Sequence, residues 1–122
     1  MIYKKRIFGK TKQLTIEELT KKMNSLEYIQ IALLFGSRSR GDFTIQSDYD
    51  FAILTDKQYD TSWGHISKVW NELGDILGLA EYDYDIVDLD NANRAIIDSI
   101  KESYILLKGD KIELQRLFDK YH

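Results

Sequence analysis

Asp48 and Asp50 stand two residues apart in Asp48-Tyr49-Asp50-Phe51, at the head of an apolar run that continues Ala52-Ile53-Leu54. Side chains on a strand repeat every second residue, so both carboxylates project from one face. Two such charges repel unless a cation sits between them, and a hard divalent ion with oxygen ligands, Mg²⁺ above all, answers that need and brings phosphates with it. Separated from Asp48 by ten residues lies Gly36-Ser37, closing the run Leu33-Leu34-Phe35. Gly36 lets backbone approach phosphate oxygens closely, Ser37 offers an N–H and a hydroxyl, and a short helix is expected to begin there. Arg38 and Arg40 carry the planar fork that pairs with phosphate oxygens. A third acid would help deprotonate an attacking hydroxyl. The segment Tyr82-Asp83-Tyr84-Asp85-Ile86-Val87-Asp88-Leu89 supplies candidates: Asp83 and Asp85 share one face and Asp88 has the opposite parity. The plain alternative for Asp83 and Asp88 is an exposed strand-edge acid that discourages unwanted sheet pairing.

Several elements must position these residues. Thr15 with Glu18 forms a capping-box pattern, and Ile16, Leu19, Met23 and Leu26 recur at helical spacing, which predicts a helix over 15–26. Tyr28 to Phe35 is a continuous apolar run of strand length, as a central strand covered on both sides requires. Residues 36–47 form the turn and loop, and a second strand spans 48–54. Trp63, Ile66, Val69, Trp70, Leu73, Ile76 and Leu77 have a period of 3.6 and predict a helix stopped by Gly78, although Gly64 and Gly74 interrupt the pattern. Trp63 and Trp70 read as core or interface anchors, not as a base-stacking platform. A third strand at 82–89, a helix from Asn93 through Ser103, a short strand at 104–107 and a final helix begun by Asp110 complete the chain. Together these give an α+β fold, one small mixed sheet of about four strands with helices packed against it.

Length and composition narrow the classes. At 122 residues the chain is expected to be one domain, residues 1–122, with residues 1–13 as an N-terminal arm whose Lys4, Lys5, Arg6, Lys10 and Lys12 read as a solvated basic cluster. A net charge of −3 gives no global attraction to nucleic acid, so no direct nucleic-acid partner is expected. With no cysteine there is no thiolate nucleophile and no zinc–cysteine site, and His65 and His122 lie too far apart in sequence to suggest a histidine relay. No apolar run approaches the roughly 20 residues of a membrane-spanning helix, and the basic start lacks the apolar stretch of a secretion signal. The expected location is the cytoplasm, with no membrane partner.

Gly36-Ser37, ten residues, then Asp48-Tyr49-Asp50, with Arg40-Gly41 in the turn and Ser47 before the first acid, resembles the signature of the minimal nucleotidyltransferase (MNT) proteins of the DNA polymerase beta-like superfamily. Within that group the spacing is similar to that of the MNT antitoxins paired with HEPN-domain toxins. Residues 33–54 and about 82–89 carry the specific motifs, and Ser39 stands where the family commonly has Ala. The resemblance implies a nucleotidyltransferase fold and Mg²⁺-dependent transfer of AMP from ATP. It singles out Asp85, because relatives place an Asp in similar surroundings on the following strand. Asp48, Asp50 and Asp85 would then be the catalytic and metal-binding acids for two Mg²⁺ ions. Gly36, Ser37, Arg38, Arg40 and Ser47 would surround the nucleotide. The implied acceptor is a tyrosine of a HEPN ribonuclease toxin, silenced by adenylylation, which makes the chain an antitoxin in a hetero-oligomer. Two other readings are a nucleotidyltransferase acting on a small-molecule hydroxyl, like the aminoglycoside enzymes, and a non-catalytic nucleotide-binding module that blocks a toxin sterically.

Overall fold

A computed structural model of the chain describes residues 12–44, 47–56, 65–80 and 83–120. Lys4, Lys5, Arg6, Lys10, Trp63, Gly64, Tyr82 and His122 fall outside them. Helix α1 (Ile16–Asn24) starts where both halves of the capping box form: the Glu18 N–H donates to Thr15 Oγ1 and the Thr15 N–H to Glu18 Oε1, each at 3.0 Å. Strand β1 (Ile29–Phe35) follows, then a one-turn helix α2 (Ser37–Arg40) and strand β2 (Tyr49–Thr55). Helix α3 (His65–Leu77) leads to β3 (Tyr84–Asp88) and helix α4 (Arg94–Glu102) to β4 (Tyr104–Lys108), before the last helix, α5 (Lys111–Asp119). Asn93 and Asp110 cap α4 and α5 through their side-chain oxygens.

The four strands form one mixed sheet in the order β3-β2-β1-β4, with β1 antiparallel to both neighbours and β2 parallel to β3. Strand β1, apolar along nearly its whole length, is therefore central, and each face of the sheet has its own core. On one side Leu34, Tyr49, Phe51 and Ile53 pack with Leu19 and Met23 of α1 and Leu73 and Leu77 of α3. On the other, Ile31, Leu33 and Ala52 pack with Ile97 and Ile100 of α4 and Leu114, Leu117 and Phe118 of α5. Alternation along β2 thus sends Tyr49 and Phe51 to the α1 side and leaves Asp50, of the same parity as Ala52, on the α4–α5 side.

Gly74 does not break α3. A Cβ there would lie 2.6 Å from the Tyr84 hydroxyl, which donates to the Trp70 carbonyl at 2.5 Å. The missing side chain makes room for a cross-link between helix and sheet. Trp70 packs against the same Tyr84 at 5.5 Å between ring centroids, a core anchor as its periodicity implied. Among the described residues no helix is long and apolar enough to cross a membrane.

Two sequence-based expectations need correction. Asp83 is not an exposed strand-edge acid: it is 1% exposed, precedes β3, accepts the Ala80 N–H on its carboxylate and the Tyr49 N–H on its backbone carbonyl. Its burial comes from closing the turn into β3. Asp88 is half-buried and accepts from the Asp90 N–H at 3.0 Å and the Asn91 side-chain amide at 2.7 Å. It shapes the turn leaving β3 instead of guarding an edge.

Candidate active site

The parallel pairing of β2 with β3 sets Asp50 directly beside Asp85, and the antiparallel pairing of β1 with β2 sets Phe35 on the other flank of Asp50. Opposed residues on adjacent strands point to one face with Cβ atoms about 5 Å apart, so the two carboxylates share the α4–α5 side. Burial and the nearby Asp85 charge push the Asp50 carboxyl above its ordinary value, and the Arg40 guanidinium draws it partly back. Asp85 is exposed and Asp50 half-buried. One acid of the pair is therefore sunk into the sheet and the other faces arriving molecules.

Immediately before α2, Gly36 turns the chain with φ 75° and ψ −157°, a conformation that only glycine adopts without strain. A Cβ at Gly36 would collide with the Asp50 carboxylate and lie 3.3 Å from its Cγ. The bend is pressed against the acid, and its carbonyl accepts from the Ser39 N–H at 3.1 Å, the Arg40 N–H at 3.2 Å and the Ser39 hydroxyl at 2.8 Å. Ser37 opens the one-turn helix beside that bend, half-buried. Arg40 is exposed, pairs with Asp42 at 3.1 Å, and supplies the positive charge that Asp50 feels.

Arg38 is placed differently. It is 6% exposed, and its guanidinium lies between the rings of Tyr49 and Phe43, at 4.0 and 4.7 Å from their centroids. It donates to the Ser47 carbonyl from Nε at 3.1 Å and Nη2 at 2.9 Å, and to Gln13 Oε1 at 3.1 Å. This arginine faces the α1 side and fastens the loop that delivers β2. Ser47 helps from the other end, its hydroxyl accepting the Thr44 N–H at 2.9 Å. The Tyr49 hydroxyl ties the same corner to the chain before α1, donating to the Lys12 carbonyl at 2.7 Å and accepting the Leu14 N–H at 2.9 Å. An apolar cavity of about 220 Å³ opens on that side, lined by Leu14, Ile16, Leu19, Leu34 and Phe43 among others. Its walls belong to the face opposite the acid pair.

The structure thus brings Asp50, Asp85, Gly36 and Arg40 together and turns Arg38 and Ser47 to holding the loop. Asp48, half-buried, lies just before β2. Among the described residues no group of three His, Cys, Asp or Glu side chains is arranged to hold a metal ion. As donors the acids suit a hard divalent ion: they offer carboxylate oxygens alone, and a cation between Asp50 and Asp85 would relieve the repulsion that raises Asp50. Ser39 adds a contact that its spacing in the sequence does not announce. Besides holding Gly36, its hydroxyl meets the Ser103 carbonyl at 3.1 Å and the Ser103 hydroxyl at 3.0 Å. The hydroxyl in place of the usual Ala was the available signal.

A glycine bend packed on an acid, a second acid on the parallel neighbour strand and helices on both faces define a nucleotidyltransferase domain. The family model for the polymerase beta nucleotidyltransferase domain matches residues 17–113, and the chain belongs to that family. No curated protein gives a match. Among solved structures, a toxin–antitoxin pair with AMP-PNP is similar at a TM-score of 0.68 and 24% identity, over 88% of this chain and 84% of that one. A mutant of the toxin–antitoxin MntA–HpeT is similar at a TM-score of 0.65 and 26% identity, over 89% and 84%. The tri-AMPylated HEPN toxin of Shewanella oneidensis in complex with its MNT antitoxin is similar at 0.62 and 20%, over 88% and 83%.

Proposed function

We propose that this chain is an MNT antitoxin, a protein adenylyltransferase that moves AMP from ATP to a tyrosine of a partner HEPN ribonuclease toxin. The observation that carries the reading is the Asp50–Asp85 pair against the Gly36 bend, in a chain of the polymerase beta nucleotidyltransferase family. The likeness to toxin–antitoxin pairs, one with AMP-PNP and one with a tri-AMPylated HEPN toxin, supports the choice of nucleotide, acceptor and partner. ATP and such a toxin meet in the cytoplasm, where we place the reaction.

Asp48 and Asp50 would hold Mg²⁺, with Asp85 shared by a second ion; bound there, the metal would neutralise phosphate charge as pyrophosphate leaves. Gly36 and Ser37 present backbone and hydroxyl donors to the β- and γ-phosphates. Arg40 gives up its exposed pairing with Asp42 at little cost and turns its fork to a phosphate oxygen. Asp85, facing solvent, takes the proton of the tyrosine hydroxyl. The freed oxygen bonds to the α-phosphorus in line as the bond from that phosphorus to the bridging oxygen of pyrophosphate breaks, leaving AMP joined to the tyrosine oxygen as a phosphodiester and releasing pyrophosphate. Arg38 and Ser47 act indirectly by fixing the strand that carries Asp48 and Asp50.

Incubating the chain with its neighbouring gene product and Mg-ATP, then weighing the partner by mass spectrometry, tests this. One or more added AMP groups on tyrosine are expected, and none with Asp48→Asn or Asp50→Asn. An unmodified partner, or modification that survives in both variants, would reject it.

A further inference from the structure

A single row of side chains crosses the sheet at the level of the acids. From edge to edge it reads Asp85, Asp50, Phe35, Tyr104, each opposite the next in register, and opposed residues point to the same face. Tyr104 belongs to that face on a second count: its ring meets Phe118 of α5 edge-on, at 5.7 Å and 67°. The next residue, Ile105, turns to the α1 side. Yet Tyr104 stays 38% exposed, so the ring is propped from beneath without being covered.

Two strand spacings separate Tyr104 from Asp50, about 10 Å. A nucleotide whose phosphates lie at Gly36 and Asp50 carries its base one ribose further on, and any base has a π-face that an aromatic ring can take. We propose that Tyr104 is the stacking platform for the nucleobase of the bound nucleoside triphosphate, with half-buried Phe35 as the apolar floor between ring and acids. The inference rests on the reading of Gly36, Asp48 and Asp50 as a nucleotide site. The Ser39 hydroxyl ties the platform to the bend: its one proton goes to the Gly36 carbonyl at 2.8 Å, and it accepts from the hydroxyl of Ser103, the residue before Tyr104, at 3.0 Å. Phosphate bend and base platform are thereby fastened together. Stacking is tolerant of base identity, so ATP and GTP are expected to bind within a few-fold of each other.

Calorimetric titration of the whole chain with Mg-ATP and with Mg-tripolyphosphate, a probe that has the phosphates and no base, tests the proposal. Tyr104→Ala is expected to weaken ATP binding roughly 5- to 150-fold and leave tripolyphosphate binding unchanged, while Tyr104→Phe keeps both. Tyr104→Leu, which still covers Phe118, should repeat the selective loss and separates stacking from core support. Unchanged ATP affinity in Tyr104→Ala, or equal loss of both probes in Tyr104→Leu, overturns the platform even if AMP transfer by the native chain proceeds. So does a Tyr104→Ala variant that binds ATP normally and fails only to hold the toxin. A native chain that binds neither probe overturns the nucleotide reading and the platform with it.

Discussion

Asp50 combines three influences, and their balance fixes how its charge affects the fold. Burial and Asp85 raise its carboxyl; Arg40 opposes them. A carboxyl raised on folding is one the fold prefers protonated, so it costs nothing below the unfolded value of about 3.8 and its full penalty above the folded one. Asp50→Asn, without added divalent ions, should therefore melt a few degrees above the native chain at neutral pH. The gap should close as the pH falls through that window; melting curves across the range check it. Gly36 sets a second limit. Gly36→Ala forces a Cβ onto an extended backbone of positive φ, at about 1–3 kcal/mol, and drives that atom into the Asp50 carboxylate. AMP transfer should fall at least about 100-fold, as expected when reacting groups are misplaced by roughly 1 Å. Steady-state rates with the partner proposed above would show it.

At the level of elements, the loop between α2 and β2 owes its course to Arg38. Arg38→Ala removes the bonds to Ser47 and Gln13 and the two ring contacts, a loss of about 2–3 kcal/mol in urea unfolding. Arg38→Lys should recover little, because a single ammonium cannot fork to the Ser47 carbonyl and stack between rings as well. This is also where the sequence ran out. Local rules disclosed α1 and α5, since their caps at Thr15 and Asp110 are written within three residues of the bonds they make. The apolar run of β1 disclosed a central strand, and the spacing of Gly36, Asp48 and Asp50 marked the candidate site. The inward turn of Arg38 depends on Tyr49, eleven positions away on another element, and the burial of Asp83 on its carbonyl meeting the Tyr49 N–H of β2. The meeting of Tyr104 with the acid row needs the strand order itself, which no local period encodes.

For the whole molecule, two cores on either side of one sheet leave the acids at a rim where neither core closes over them. A ligand that binds there stabilises the entire fold by mass action. Mg-ATP at a hundredfold excess over its dissociation constant should add about 2.7 kcal/mol, a rise in Tm of roughly 10 °C for a chain of this size. Asp50→Asn should lose most of that rise while keeping its own higher baseline, a pairing that thermal-shift measurements read directly. The space that Gly36 leaves empty and Asp50 fills also has a historical meaning. The glycine cannot change first, since a larger residue there has nowhere to go while the acid remains. A lineage that gave up transfer would lose the acid first and still be held to the glycine by its positive φ, so among related chains the acid should vary before the glycine does.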